Sequence, residues 1–324
     1  MSISTRVPRL PPRPALLLTI LLGALPLIAA PQPMAARAAA LQAAAAAGAA
    51  NATLAPHAEK SLRFAVIGDS GTGEKPQYQV GEQLTESRTV FPFEFVLMLG
   101  DNIYGGERPE DFEKKFERPY KALLDLKIPF YASLGNHDDP NQRFYKPFNM
   151  DGKRFYTFEK DDVRFFALDS NYMDQAQLKW LEEQLSRAND RWKVAFFHHP
   201  LYSSGEKHGS QVDLRATLEP LFLKYGVSVV FSGHEHFYER LKPQNGITYF
   251  TSGGAAKLRE GNIRTGSEMT AKGFDTDRSY MLVEIADKTM YFQTLSRTGA
   301  LVDSGSVEAV KPPSPPPSAD AAVR

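Results

Sequence analysis

The chain has 324 residues, of which 42% are hydrophobic and 11% aromatic, enough to bury a substantial core. Its formal charge is zero, which argues against the basic stripe of a nucleic-acid surface, and the absence of cysteine excludes disulfides, thiolate metal sites and cysteine nucleophiles together. Any metal must therefore be held by oxygen and imidazole.

The N-terminus carries Arg6, Arg9, Arg13 and Arg37 with no acid in its first stretch. The apolar run Ala15 to Ala30 and the A-x-A pattern Ala36-Arg37-Ala38 follow. Residues 1–38 are thus expected to be a cleaved export signal, giving a periplasmic or secreted protein. A membrane anchor is the alternative, but Pro26 interrupts the run, which is shorter than the roughly 20 residues of a span. Residues 39–59 read as an Ala-rich linker, 60–310 as the working domain, and 311–324, "KPPSPPPSADAAVR", as a disordered Pro/Ser tail.

Within the domain, short apolar runs break off and deliver a polar residue: "RFAVIGD", "FVLMLGD", "FYASLGN", "KVAFFHH" and "SVVFSGH". Runs that are apolar throughout suit strands buried on both faces. Helix-like segments lie between several of them. "PEDFEKKFERPYKALL" places Phe112, Phe116 and Tyr120 on one face, with Pro119 expected to kink or split it. "DQAQLKWLEEQLSRA" places Leu178, Leu181 and Leu185 together, and "DLRATLEPLFLKYG" closes at Gly226 as a helix stop should. "RFYTFEKDDVRFFALDS" and "SYMLVEIADKTMYFQTLS" read as hairpins. The expected fold is α/β, with two mixed β-sheets packed face to face and helices outside. Ligands gather beyond the carboxyl ends of strands in such cores, so Asp69, Asp101, Asn136, His198 and His234 should meet at one edge.

The turn "VIGDSGTG" has several readings. A nucleotide-binding P-loop fails because Glu74 stands where lysine is needed, and the dinucleotide pattern lacks its third glycine. A Ser70 nucleophile lacks a histidine base: no histidine follows an aspartate by three residues, and none occurs after His236. The metal reading finds partners, since His137, His198, His208, His234 and His236 fall at or just after the strand ends. "GHEH" spaces its histidines two apart, unlike the helical H-E-x-x-H of zinc proteases. His57 and His199 remain unassigned, and Tyr202 and Tyr238 are expected to pack rather than line a pocket. "LREGNIRTGSEMTAKGFDTDRSY" reads as a substrate-side or mobile loop.

Taken together, "GDSG", "GDNIY", "GNHD", "HHP" and "GHEH", in that order, resemble the metallophosphoesterase superfamily, and more narrowly the small, tartrate-resistant type of purple acid phosphatase. The resemblance implies the calcineurin-like αββα sandwich. It implies Asp69, Tyr104 and His236 as ligands of Fe(3+), with a violet phenolate. It further implies Asn136, His198 and His234 as ligands of a divalent ion, Fe, Zn or Mn, with Asp101 bridging. His137 and His208 match histidines that contact the substrate phosphate and assist the leaving group; His208 lies one residue further from His198 than in small family members. The implied activity is acid phosphatase hydrolysis of small phosphate monoesters by metal-bound hydroxide, with a diesterase or nucleotide hydrolase as first rival and a noncatalytic phosphate or metal binder as second. Two cations clamping phosphoryl oxygens make sense of a bridging carboxylate, a neutral amide ligand and histidine proton donors. Gly68 and Gly71 are expected to let the strand end approach the metal closely.

Overall fold

Aromatic and β-branched runs without charged interruptions form strands only where both faces are covered, and here each sheet covers the other. The computed structural model describes residues 56–310. Strands β1 (Leu62–Ile67), β2 (Phe95–Met98) and β3 (Phe130–Ala132) run parallel and begin the first sheet. Strands β4 (Tyr156–Lys160), β5 (Val163–Ala167), β6 (Trp192–Phe197), β7 (Val229–Ser232), β8 (Tyr238–Leu241), β9 (Thr248–Ser252) and β10 (Thr270–Phe274) make the second. The chain then returns to the first sheet with β11 (Ser279–Ala286), β12 (Thr289–Ser296) and β13 (Leu301–Glu308).

The strand orders are β13-β12-β11-β1-β2-β3 and β10-β8-β9-β7-β6-β5-β4. Both sheets are mixed. The two segments read as hairpins are the antiparallel pairs β4/β5 and β11/β12, while β5, β6, β7 and β9 pair in parallel. Aromatic rings join the inner faces: Phe64 of β1 lies 5.4 Å from Phe165 of β5, and Phe250 of β9 lies 4.9 Å from Phe292 of β12. Burying rings of this size on both faces gives the sandwich its main hydrophobic term, on the order of 2 kcal/mol per side chain.

Helix α1 (Lys75–Val90) follows β1 and turns Val80 and Leu84 inward. The segment around Pro119 is split as its sequence predicts. Short helices α2 (Pro109–Phe112) and α3 (Lys121–Asp125) flank a π-turn, closed by Arg118 N donating to Glu113 O at 2.8 Å. Phe116 and Tyr120 are buried and Phe112 is half-buried. Helix α4 (Gln175–Arg187) starts where Asp174 Oδ1 accepts from Gln177 N at 2.8 Å, an N-cap that satisfies an orphan donor. Helix α5 (Val212–Tyr225) ends at Gly226, whose φ of 72° suits glycine. Leu181, Leu185, Leu218 and Phe222 from these two helices cover the outer face of the second sheet, against Phe166, Phe197 and Val230.

The segment that reads as a loop after Leu258 contains β10, which pairs antiparallel with β8. Its residues are half-buried or exposed, so an edge strand here leaves no apolar alternation to detect. Ahead of β1, the N–H groups of His57 and Ala58 donate to Glu284 at 2.9 and 2.7 Å. The expected export signal, the linker before residue 56 and the expected tail lie outside the described residues. Among the described residues, no helix is long and apolar enough to cross a membrane.

Candidate metal centre

The carboxyl ends of β1, β2, β3, β6 and β7 bring Asp69, Asp101, Asn136, His198 and His234 to one edge, as the alternation of strands and helices implies. Three of these residues sit in the left-handed backbone region: Asp69 at φ 53°, Asp101 at 51° and His234 at 69°. Non-glycine residues there carry strain of roughly 1–3 kcal/mol, which persists only where surrounding contacts over-determine the turn. Those contacts are present. Asp69 N donates to Gly100 O at 3.1 Å and His234 N to Asp69 Oδ2 at 2.8 Å.

Gly71 is needed for a different close approach from the one expected. A Cβ on it would lie 1.8 Å from Asn102 O, so the constraint is contact between two loops rather than between a strand end and a metal. Gly68 likewise faces the Ser252 carbonyl, 2.6 Å from where its Cβ would be.

The expected ligands fall into two adjoining groups. In one, Tyr104 Oη is 3.1 Å from Asp69 Oδ1 and 3.4 Å from His236 Nε2. In the other, Asn136 Oδ1 is 2.9 Å from His198 Nε2 and 3.0 Å from His234 Nδ1, and the two nitrogens are 3.1 Å apart. Asp101 faces both groups. Its Oδ1 is 3.5 Å from His198 Nε2, and its carboxylate has an oxygen within 4.8 Å of ligand atoms on Asp69 and His236.

Electrostatics show what this arrangement lacks on its own. Burial, then repulsion from Asp101, raises the Asp69 carboxyl well above its usual range. Burial, then the charges of Asp69 and Asp101, pushes the Tyr104 phenol strongly upward. The imidazoles move the other way, chiefly through burial: His198 falls well below its usual value, His234 to about 2 and His236 to about 4. Neutral imidazoles with lone pairs, crowded acids and a buried phenol form a donor set that fits cations. His198 Nδ1 lies 3.0 Å from Leu99 O, the outer contact expected of a ligating histidine.

Exposed His137 and His208 stand at the rim. The His137 ring is 5.1 Å from that of Tyr104 and its N–H donates to Asp101 Oδ1 at 2.9 Å; the His208 ring is 4.3 Å from that of His234. Each is steadied by a carboxylate that no motif argument had singled out. Asp138 accepts from Gly135 N, Ile103 N, Asn102 Nδ2 and Gln142 Nε2 at 2.8–3.0 Å, and burial followed by Asp101 raises it to about 7. Fully buried Glu235 accepts from Gly209 N at 2.7 Å, His208 N at 3.2 Å and Asn262 Nδ2 at 3.1 Å. Both acids were visible as the last letter of "GNHD" and the third of "GHEH". Lys115, carried by the π-turn, pairs with Asp111 at 2.9 Å and donates to the carbonyls of Tyr104 and Gly106, which fixes the Tyr104 loop.

His199, left unassigned by sequence, also joins the site, with its ring 4.4 Å from that of His234. His57 does not; it packs edge-on against Phe91. Ser70 is buried beside Asp69. Tyr238 and Tyr202 serve packing, with their hydroxyls on Asp303 and Glu219.

The family model described as calcineurin-like phosphoesterase matches residues 62–238, more than half of the chain. Human tartrate-resistant acid phosphatase type 5 is 24% identical over 302 residues, covering 76% of this chain and 91% of the relative. Among solved structures, a purple acid phosphatase from yellow lupin (Lupinus luteus) seeds superposes with a TM-score of 0.64 at 18% identity, over 79% of this chain and 55% of that one. A Plasmodium protein described as the anchor in the inner membrane complex superposes at 0.68 with 20% identity, over 78% and 90%. At these identities, the two superpositions speak to the fold alone.

Proposed function

The chain belongs to the calcineurin-like phosphoesterase family and is a phosphoric ester hydrolase, and from that premise we propose an exported acid phosphatase that cleaves small phosphate monoesters at a two-metal centre. The observation that carries the reading is the Asp101 carboxylate between two complementary donor groups, Asp69, Tyr104 and His236 on one side and Asn136, His198 and His234 on the other. The anionic oxygens of Tyr104, Asp69 and Asp101 favour a trivalent ion, Fe(3+), in the first group. The imidazole-rich second group suits divalent Fe, Zn or Mn. When bound, the two ions would draw in phosphoryl oxygens and lower the pKa of a bound water.

The protein's own groups have separate tasks. Asp101 shares its charge between the two halves and accepts the His137 N–H, so one carboxylate sets both the centre and the rim. His137 and His208, exposed on opposite sides of the ligand set, are suited to donate hydrogen bonds to the phosphoryl group and to give the leaving oxygen its proton. Glu235 holds the backbone of the His208 loop and Asp138 that of the His137 loop, so both imidazoles are positioned before substrate arrives. Neutral total charge and the absence of an extended basic surface in the sequence fit a small ester.

Purified protein should hydrolyse p-nitrophenyl phosphate faster than its bis ester and show a visible absorption band that Tyr104→Phe removes. Preference for the diester would replace the monoester reading by that of a phosphodiesterase. A colourless dizinc or dimanganese protein would keep hydrolysis and remove the ferric ion. Inertness towards both esters would favour a binding role, such as that named for the Plasmodium anchor.

A further inference from the structure

Two adjacent histidines end β6, and their hydrogen-bond partners give them opposite tautomers. His198 Nδ1 faces the carbonyl of Leu99 at 3.0 Å. A carbonyl only accepts, so this nitrogen carries the proton and Nε2 presents a bare lone pair to the Asn136 and His234 side of the site. His199 Nδ1 instead lies 2.9 Å from Ser170 Oγ. That hydroxyl already accepts the His199 backbone N–H at 3.1 Å, and among the described residues its own proton has no acceptor other than His199 Nδ1. With Nδ1 accepting, a neutral His199 ring keeps its proton on Nε2.

The position of the ring gives this proton a target. His199 is half-buried, its centroid is 4.4 Å from that of His234 and 4.9 Å from that of His198, and one ring nitrogen from each of the three lies within 4.8 Å of the others. Nε2 has no hydrogen-bond partner among the described residues. A protonated nitrogen is no ligand, but on a ring packed against those of His198 and His234 it is available as a hydrogen-bond donor.

We propose that His199 is a substrate contact that donates Nε2–H to a phosphoryl oxygen, and that Ser170 is the positioning residue that sets its tautomer. The proposal rests on the phosphoesterase reading and deepens it: the site then binds a tetrahedral phosphate through three imidazoles, His137 from the loop after β3, and His199 and His208 from the two ends of the loop between β6 and α5. A neutral donor suits this place. It adds a directed hydrogen bond without adding a charge that would compete with the ions for the carboxylates. The competing role, a further donor to the divalent ion, needs Nε2 bare and leaves the Ser170 proton without an acceptor.

The test uses the metal-loaded protein, with inorganic phosphate as probe and metal content measured alongside. His199→Phe should weaken phosphate inhibition roughly 10- to 100-fold, the loss expected for a hydrogen bond to a charged group, and should raise KM in parallel while the metal content per chain stays at the wild-type value. Ser170→Ala should show a smaller loss of phosphate affinity at unchanged metal content, and Ser170→Thr, which keeps the hydroxyl, should restore it. Loss of one metal ion in His199→Phe would make His199 a ligand and overturn the proposal. Unchanged phosphate affinity in a metal-replete His199→Phe would reduce it to packing and overturn the proposal equally. Failure of the underlying phosphoesterase reading is distinguishable, since the wild type itself would then neither bind phosphate nor turn over ester.

Discussion

Gly71→Ala adds one methyl group at the seam between the loops that carry Asp69, Asp101 and Tyr104. The Gly71 N–H donates to Asp101 O at 3.3 Å, and its carbonyl accepts from Tyr104 N at 2.9 Å, so any shift of one loop is passed to the other. The new Cβ would lie 1.8 Å from Asn102 O, where ordinary contact begins at 3.4 Å, so about 1.6 Å of clearance is missing. The obstacle is backbone, and no side-chain rotation relieves it. Overpacking of this kind costs about 1–3 kcal/mol, or roughly 3–10 °C in Tm for a domain of this size. Turnover should fall more steeply, since misplacement of catalytic groups by about 1 Å is worth on the order of 100-fold. Gly254→Ala is the control, because its Cβ would meet Phe237 and Ser279 at an ordinary 3.5 Å. Thermal unfolding and p-nitrophenyl phosphate turnover of the two variants decide the matter. If Gly71→Ala matches Gly254→Ala in both, the seam does not hold the site together.

Two further outcomes follow from the charges. Asp101→Asn keeps the shape and can still accept the His137 N–H, but it removes the carboxylate shared by both donor groups; turnover should fall by about 10³-fold or more, while the chelated protein should melt no lower than wild type because Asp101 repels Asp69. His236 is held down to about 4 by burial against an ordinary 6.5, so the unfolded chain takes up its proton first as pH falls between those values. Its neutral form thus contributes stability at pH 7 that is lost on acidification. Asp69 and Asp138 shift in the opposite sense, so the comparison must be between chelated wild type and chelated His236→Gln. From pH 6.5 to 4 the stability difference should move in favour of the variant by about 1–3 kcal/mol in denaturant titrations, and a pH-independent difference would refute the assignment.

The convergence of Asp69, Asp101, Asn136, His198 and His234 was legible because each follows the end of a buried strand, where an apolar run that breaks off announces both the strand and its edge, whereas Tyr104 and the ligand roles came from the family resemblance. The hairpins and the break at Pro119 were legible from local pattern for the same reason. β10 was not, since an edge strand with exposed residues has no alternation to read. Nor were the roles of Glu235 and His199, though both letters stand inside the motifs. Glu235 accepts from residues 26 and 27 positions away, and His199 gains its meaning from Ser170, 29 positions earlier. Such contacts exist only once the second sheet has assembled. Gly71 shows a subtler limit: the sequence indicated that a side chain was unwelcome but not which neighbour excluded it.

The centre and its rim are held by different means. The proposed ligands at the strand ends are fixed by strained turns at Asp69, Asp101 and His234, whose backbone N–H and carbonyl groups bond from loop to loop. The rim loops hang on half-buried Asp138 and buried Glu235, each held by donors from its own surroundings: four for Asp138, and the loop N–H groups with Asn262 and Arg259 for Glu235. Both carboxylates are met by groups of the chain itself, Glu235 with Arg259 Nη1 at 3.5 Å, whereas Asp69 and Tyr104 are crowded with Asp101 and have no cation of the chain among the groups that shift them. Removing the metal should therefore destabilise the ligand cluster electrostatically while leaving the rim bonds unchanged. On the roles proposed above, the fold separates the group that would supply charge from the groups that would contact substrate, so a change in rim residues should alter ester preference without dismantling the centre.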